Sequence, residues 1–157
     1  MLQHWDLSCG AAALATILKY EYGQPVTERQ IAVELLQRKE YLVNPSLVRV
    51  RQGYSLLDLQ RVAEQRHLQG LGLGNLTLRD LMERAPIIVP VRFLGYHHFV
   101  VFRGVYLGQV VLADPAWGNR TMLIGDFVRA WINYPRIGHT GFSLLPRGGS
   151  KPRNRLA

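Results

Sequence analysis

A chain of 157 residues is long enough for one hydrophobic core and too short for two ordinary domains. With 48% hydrophobic and 19% charged residues it is not a disordered chain, and its longest apolar runs, Pro86–Phe93 and Phe99–Phe102, are far short of the ~20 residues of a membrane-spanning helix. The net charge of +8 invites a nucleic-acid partner, but Arg147, Lys151, Arg153 and Arg155 lie in a Gly/Pro/Ser-bearing tail; the +4 left elsewhere is scattered, without an aromatic-interleaved basic stripe.

In chain order, Cys9–Tyr22 reads as a helix, rich in Ala and Leu, with Leu14, Ile17 and Leu18 at helical spacing and Gly23 as its stop. A second helix begins near Thr27, where Thr27 and Gln30 form a capping box ahead of Ile31, Val33, Leu35 and Leu36. Tyr41–Gln52 has Pro45 and no clean period and is read as a loop. Ser55 caps a third helix carrying Leu56, Leu57, Leu59 and Val62, and Thr77 with Asp80 opens a short fourth.

From there the period changes to that of strands: Ile87–Phe93, His98–Arg103, Gln109–Ala113 and Gly141–Leu145, with glycine-bearing joins and a short helix near Asp126–Trp131. No internal repeat or interior linker is present. The expected architecture is α+β, a helical N-terminal half packed on an antiparallel sheet, with one domain over residues 1–145 and a basic, disordered tail over 146–157.

The single cysteine can form no internal disulfide, and one thiolate cannot make a Cys-rich zinc site. A lone cysteine is most often a small buried hydrophobe. Cys9, however, stands at the predicted start of the first helix, where partial positive charge and free N–H groups stabilise a thiolate. Gly10 beside it leaves room for a substrate backbone. Position alone leaves nucleophile and core residue both open.

A thiol nucleophile needs a base, and His97 and His98 are adjacent on one predicted strand, pointing to opposite faces. Both faces are apolar, so periodicity does not choose between them. The base needs an orienter. Asp114 ends the next strand, although Asp-Pro is also a common turn opener; Asn119 is a second possible orienter. Finally, the oxyanion needs a donor, and the Gln3 carboxamide, six residues before Cys9, can serve with the Cys9 amide.

The ordered set Gln3-x5-Cys9-Gly10-Ala11-Ala12-Ala13-Leu14, then His98-Phe99-Val100-Val101, then Leu112-Ala113-Asp114-Pro115 resembles the bacterial C39 peptidase family. The resemblance implies a papain-like cysteine peptidase that cuts leader peptides after a Gly-Gly pair. It implies Cys9 as nucleophile, His98 rather than His97 as base, Asp114 as orienter and Gln3 as oxyanion donor. Ser8 stands where exporter-linked members carry Asp, and no transporter segment is present. With Asp114-Pro115-Ala116-Trp117-Gly118-Asn119-Arg120, this looks more like stand-alone Gram-negative members, some of which accompany functional-amyloid secretion.

The expected partners are therefore a peptide or protein substrate and a secretion-system component, without nucleic acid, cofactor or metal. The expected location is the periplasm after removal of an export signal, with the cytoplasm as the alternative. Trp117 and the Tyr41–Tyr54 loop are candidate substrate contacts. Three rivals share the chain: a C39-like domain that binds without cutting, a metal site on His4, His97 and His98, and an acyltransferase on the same Cys-His-Asp set.

Overall fold

The computed structural model describes residues 2–36, 56–93, 95–114 and 118–146. The predicted Tyr41–Gln52 loop, Ser55, Trp117 and all of the predicted tail except Pro146 lie outside them. Pro146 itself closes the last strand.

The helical half comprises α1 (Leu2–Tyr22), α2 (Glu28–Leu36) and α3 (Leu56–Gln65). Gly23, at φ +64°, ends α1, and the Gln24 amide turns back to the Leu18 carbonyl at 3.0 Å. The capping box of α2 is formed as the sequence predicts: the Thr27 amide donates to Gln30 Oε1 at 2.8 Å, and the Gln30 amide donates to Thr27 Oγ1 at 3.1 Å. Arg66, after α3, reaches back to Gln24 and to Glu34 of α2, joining the two helices.

Then follow β1 (Leu68–Leu73), α4 (Leu78–Arg84), β2 (Ile87–Phe93), β3 (Tyr96–Tyr106), β4 (Gln109–Asp114) and β5 (Gly118–Leu123). The chain continues with α5 (Ile124–Ala130), the short pair β6 (Asn133–Tyr134) and β7 (Gly138–His139), and β8 (Gly141–Pro146). A six-stranded antiparallel sheet has the order β1-β8-β2-β3-β4-β5. The α+β expectation holds, with two strands that the sequence conceals. β1 carries Gly70 and Gly72, poor strand formers; an added Cβ on Gly70 would stand 2.6 Å from Cζ of Phe142, so glycine is what lets the two approach. β5 is polar and mostly exposed, an edge strand without the apolar alternation that marks a half-buried one.

The sheet is covered on both faces. Ile88 and Val101 pack with α1, α2 and α3 in one core. Ile87, Val89, Val91, Val100, Phe102, Val110 and Leu112 pack with Leu81 of α4, Phe127 of α5 and Trp131 in a second. β2 is correspondingly apolar on successive residues, the pattern of a strand buried on both sides.

α1 is tied to the far side of the sheet by Tyr22, whose hydroxyl donates to the Leu144 carbonyl of β8 at 2.8 Å. Burial, reinforced by the neighbouring Glu21 charge, pushes the Tyr22 phenol from 10.0 up to about 12. The folded state thus favours the neutral form; the contribution is complete below about pH 10 and is lost as pH rises toward 12. Tyr22→Phe is expected to cost about 1 kcal/mol at pH 8 by urea denaturation. The gap from wild type should close by pH 12.

Candidate active site

Sheet order brings β3, β4 and β5 side by side, and with them the residues that the sequence singles out. Val101 lies opposite Ala113, and Phe102 opposite Leu112. Val110, Leu112 and Asp114 are the buried residues of β4, so Asp114 shares the face of Val100 and Phe102. His98, two residues before Val100, projects from that same face. Its Nε2 stands 3.4 Å from Asp114 Oδ2; the Asp114 side chain is 0% exposed and that of His98 is 9% exposed.

At 3.4 Å the two atoms are close but without hydrogen-bond alignment; catalytic hydrogen bonds in unliganded sites commonly tighten only when substrate binds. Nε2 faces the carboxylate, which leaves Nδ1 as the nitrogen available to a thiol. The edge of the His98 ring meets Phe93 at 5.1 Å between centroids, so the imidazole is walled as well as paired.

His97 points the other way and is exposed, and its Nε2 accepts a hydrogen bond from Nε of Arg92 at 2.9 Å. That ring nitrogen is engaged on the surface. Asn119, the second possible orienter, lies opposite Ala113, on the face away from Asp114. Periodicity leaves the two histidines equal; the Asp114 contact separates them.

The helical side differs from expectation. α1 begins at Leu2 instead of Cys9: residues 2–8 contain neither Pro nor Gly, and nothing in them stops a helix. Cys9 therefore lies beyond the first turn, outside the reach of the helix-terminal charge. In a continuous helix its amide is directed to the carbonyl four residues back. Residues six apart are separated by about 9 Å along the axis and about 120° around it, so α1 does not set Gln3 against Cys9.

Gly10 also has a different use from the one expected. An added Cβ there would come 3.3 Å from Cδ2 of Phe99, so its lack of a side chain lets α1 lie close on β3. Gly10 and Phe99 each directly follow a candidate catalytic residue in the chain. Their contact places the backbone of Cys9 beside the beginning of β3.

Phe99 packs with the α1 core, so α1 occupies the face of β3 opposite to that of His98. α1 and His98 thus lie on opposite faces of β3, a strand that begins at Tyr96. Among the described residues no group of three or more His, Cys, Asp or Glu is placed to hold a metal ion, and no helix is long and apolar enough to cross a membrane.

Sequence reasoning passed over two residues of this site, Arg120 and Phe93. The Arg120 guanidinium Nη1 stands 3.5 Å from Asp114 Oδ2, and its carbon lies 4.9 Å from the centre of the Phe93 ring. Arg120 was hidden because its strand was hidden.

The peptidase C39 family model matches residues 1–135. The chain belongs to the peptidase C39 family. It is 35% identical over 161 residues to a probable functional amyloid protease FapD of Pseudomonas aeruginosa, covering 98% of this chain and 69% of that protein. It is 39% identical over 132 residues to the protein of the same name from Pseudomonas fluorescens, covering 82% of this chain and 55% of that one.

Among solved structures it is similar to a double glycine motif protease from an AMS/PCAT transporter in complex with the leader peptide. That similarity has a TM-score of 0.67 and 25% identity and covers 89% of this chain and 85% of that one. The peptidase domain of Streptococcus ComA also gives a TM-score of 0.67, at 21% identity, over 89% and 92% of the two chains, and supports the fold. The papain-like C39 architecture expected from the sequence is thus the architecture found, and a peptidase is the function that the family assigns.

Replacing Gly10 should separate the two halves of the site. Gly10→Val is expected to destabilise the protein by about 1–3 kcal/mol through overpacking against Phe99. A thermal melt reads the loss, and Gly10→Ala should be milder.

Proposed function

We propose that the protein is a cysteine peptidase in which Cys9 attacks a peptide carbonyl with His98 as base and Asp114 as orienter. The observation that carries the reading is the buried His98–Asp114 pair, with Nδ1 left for the thiol. The Gly10–Phe99 contact, which puts the Cys9 backbone beside the beginning of β3, adds to it.

In this mechanism His98 Nδ1 takes the Cys9 proton and Sγ bonds to the carbonyl carbon. The tetrahedral intermediate collapses with the His98 proton passing to the leaving amine, leaving a thioester on Cys9. Water then gives a proton to His98 and its oxygen to the acyl carbon, and Cys9 leaves with that proton. Asp114 stabilises the imidazolium in both halves, and the carboxylate remains ionised throughout.

Gln3 is proposed as the oxyanion donor. The role requires residues 2–8 to leave the helical path when substrate is bound, a change that would also free the Cys9 amide. The substrate proposed is a peptide or protein of an export pathway, cut after a Gly-Gly type site. Support comes from the double glycine motif protease and from the relatives named for functional amyloid. The proposed location is the periplasm.

Digestion of a peptide library that includes Gly-Gly leaders, with matched variants, tests the reading. Cys9→Ala should abolish cleavage, and His98→Ala should reduce it by about 10³-fold or more, with Asp114→Ala less severe. His97→Ala should stay within a few-fold of wild type; a loss equal to that of His98→Ala, with the fold intact, would move the base to His97.

Gln3→Ala should cost about 10²–10³-fold in kcat, with Cys9 still alkylated by iodoacetamide at the wild-type rate. Unchanged kcat in Gln3→Ala would leave the oxyanion to other donors.

A further inference from the structure

Arg120 has no place in the ordered motif, yet it touches the site twice. Its Nη1 reaches Oδ2 of Asp114, the same oxygen that His98 faces, at 3.5 Å against 3.4 Å. Its guanidinium also stacks at 4.9 Å on Phe93, whose ring meets His98 at 5.1 Å. The three strands explain the convergence. Arg120 lies opposite Leu112, two residues before Asp114, so both project from one face of neighbouring strands.

We propose that Arg120 is a positioning residue of this site: it holds the buried Asp114 carboxylate charged and in place while His98 is neutral. The proposal rests on the reading of His98 and Asp114 as base and orienter.

The physical reason lies in the reaction cycle. Burial disfavours the charged form of any carboxyl, and the Asp114 side chain has no exposure. His98 is a cation only when it carries the extra proton. Arg120 is a cation at every working pH. The two therefore differ in the step they serve. When the thiol proton is on His98, the imidazolium and the carboxylate support one another. When His98 must act as a neutral base, first toward the Cys9 thiol and then toward water, Arg120 is the fixed positive charge against Oδ2. Loss of Arg120 should thus be felt in both acylation and deacylation.

p-Nitrophenyl acetate separates the steps without knowledge of the natural peptide. Attack of Cys9 Sγ on the ester carbonyl expels p-nitrophenolate in a burst and leaves an acetyl thioester. Attack of water, its proton taken by His98, releases acetate and restores the thiol in the steady state. Arg120→Gln is expected to slow the burst and the steady state each by about tenfold. Arg120→Lys, which keeps the charge, should stay within about threefold in both. In an Asp114→Asn background Arg120→Gln should add nothing, because its action runs through the carboxylate.

Cys9→Ala and His98→Ala fix the frame, the first removing the burst and the second slowing both phases. If they do so while Arg120→Gln retains wild-type deacylation, or slows the Asp114→Asn protein further, the role of Arg120 is overturned and the base stands. If His98→Ala leaves both phases unchanged, the base reading fails and the role of Arg120 falls with it. Should Arg120→Gln not fold by thermal melt, Arg120→Lys decides: a folded Lys variant as slow in deacylation as Asp114→Asn overturns the proposal.

Discussion

A carboxylate with no exposed side-chain surface sits at the end of β4, and the arrangement of the sheet around it follows from what such a group requires. Taking a carboxylate out of water costs several kcal/mol unless charges and donors replace the lost hydration. Two antiparallel neighbours supply them, His98 from β3 and Arg120 from β5. Neither could be there if the strands were ordered otherwise, because each pairs directly with a strand flanking or containing Asp114. The same requirement gives the edge strand β5 a purpose. It is polar and mostly exposed and adds little to the core, yet it carries the cation that faces the carboxylate.

The two faces of the sheet divide the labour. One is filled by the three N-terminal helices, and its core holds Val101 and the partly buried Phe99. The other holds Val100 and Phe102 with α4, α5 and Trp131. β3 carries His98 on the second face while α1 carries Cys9 on the first. Between the two sides runs β3, whose leading end lies beside α1. Gly10 is placed there, and the approach of α1 to Phe99 depends on its missing side chain. How closely helix and strand can pack is therefore set at Gly10.

Much of this was legible in the sequence for a definable reason. Capping boxes at Thr27 and Thr77 rest on interactions three residues apart, and both are formed. β2 and β4 were legible from their apolar residues, and their bounds agree with the reading to within a residue. What stayed hidden depends on tertiary partners. β1 is a strand because Phe142 occupies the space over Gly70, and no local signal in Leu68–Leu73 says so. β5 is a strand because β4 offers it an edge. α1 starts at Leu2 and not at Cys9 because nothing between Leu2 and Ser8 breaks a helix, so Cys9-Gly10 is no boundary.

The site divides along the same line. Gln3, Cys9, His98 and Asp114 stand out as residue types able to do one chemistry in one order, and a pattern of types survives translation into sequence. The structure brings His98 and Asp114 together and relates Cys9 to them through Gly10 and Phe99. It places Gln3 and Cys9 on one continuous helix, α1. Arg120 and Phe93 belong to another category: they act on the reacting groups only through Asp114 and His98, so their types carry no chemical signature of their own. A motif can show which atoms react. Which atoms hold them in place depends on the order of the strands, and here that order puts a permanent cation on the one carboxylate that the proposed reaction keeps charged.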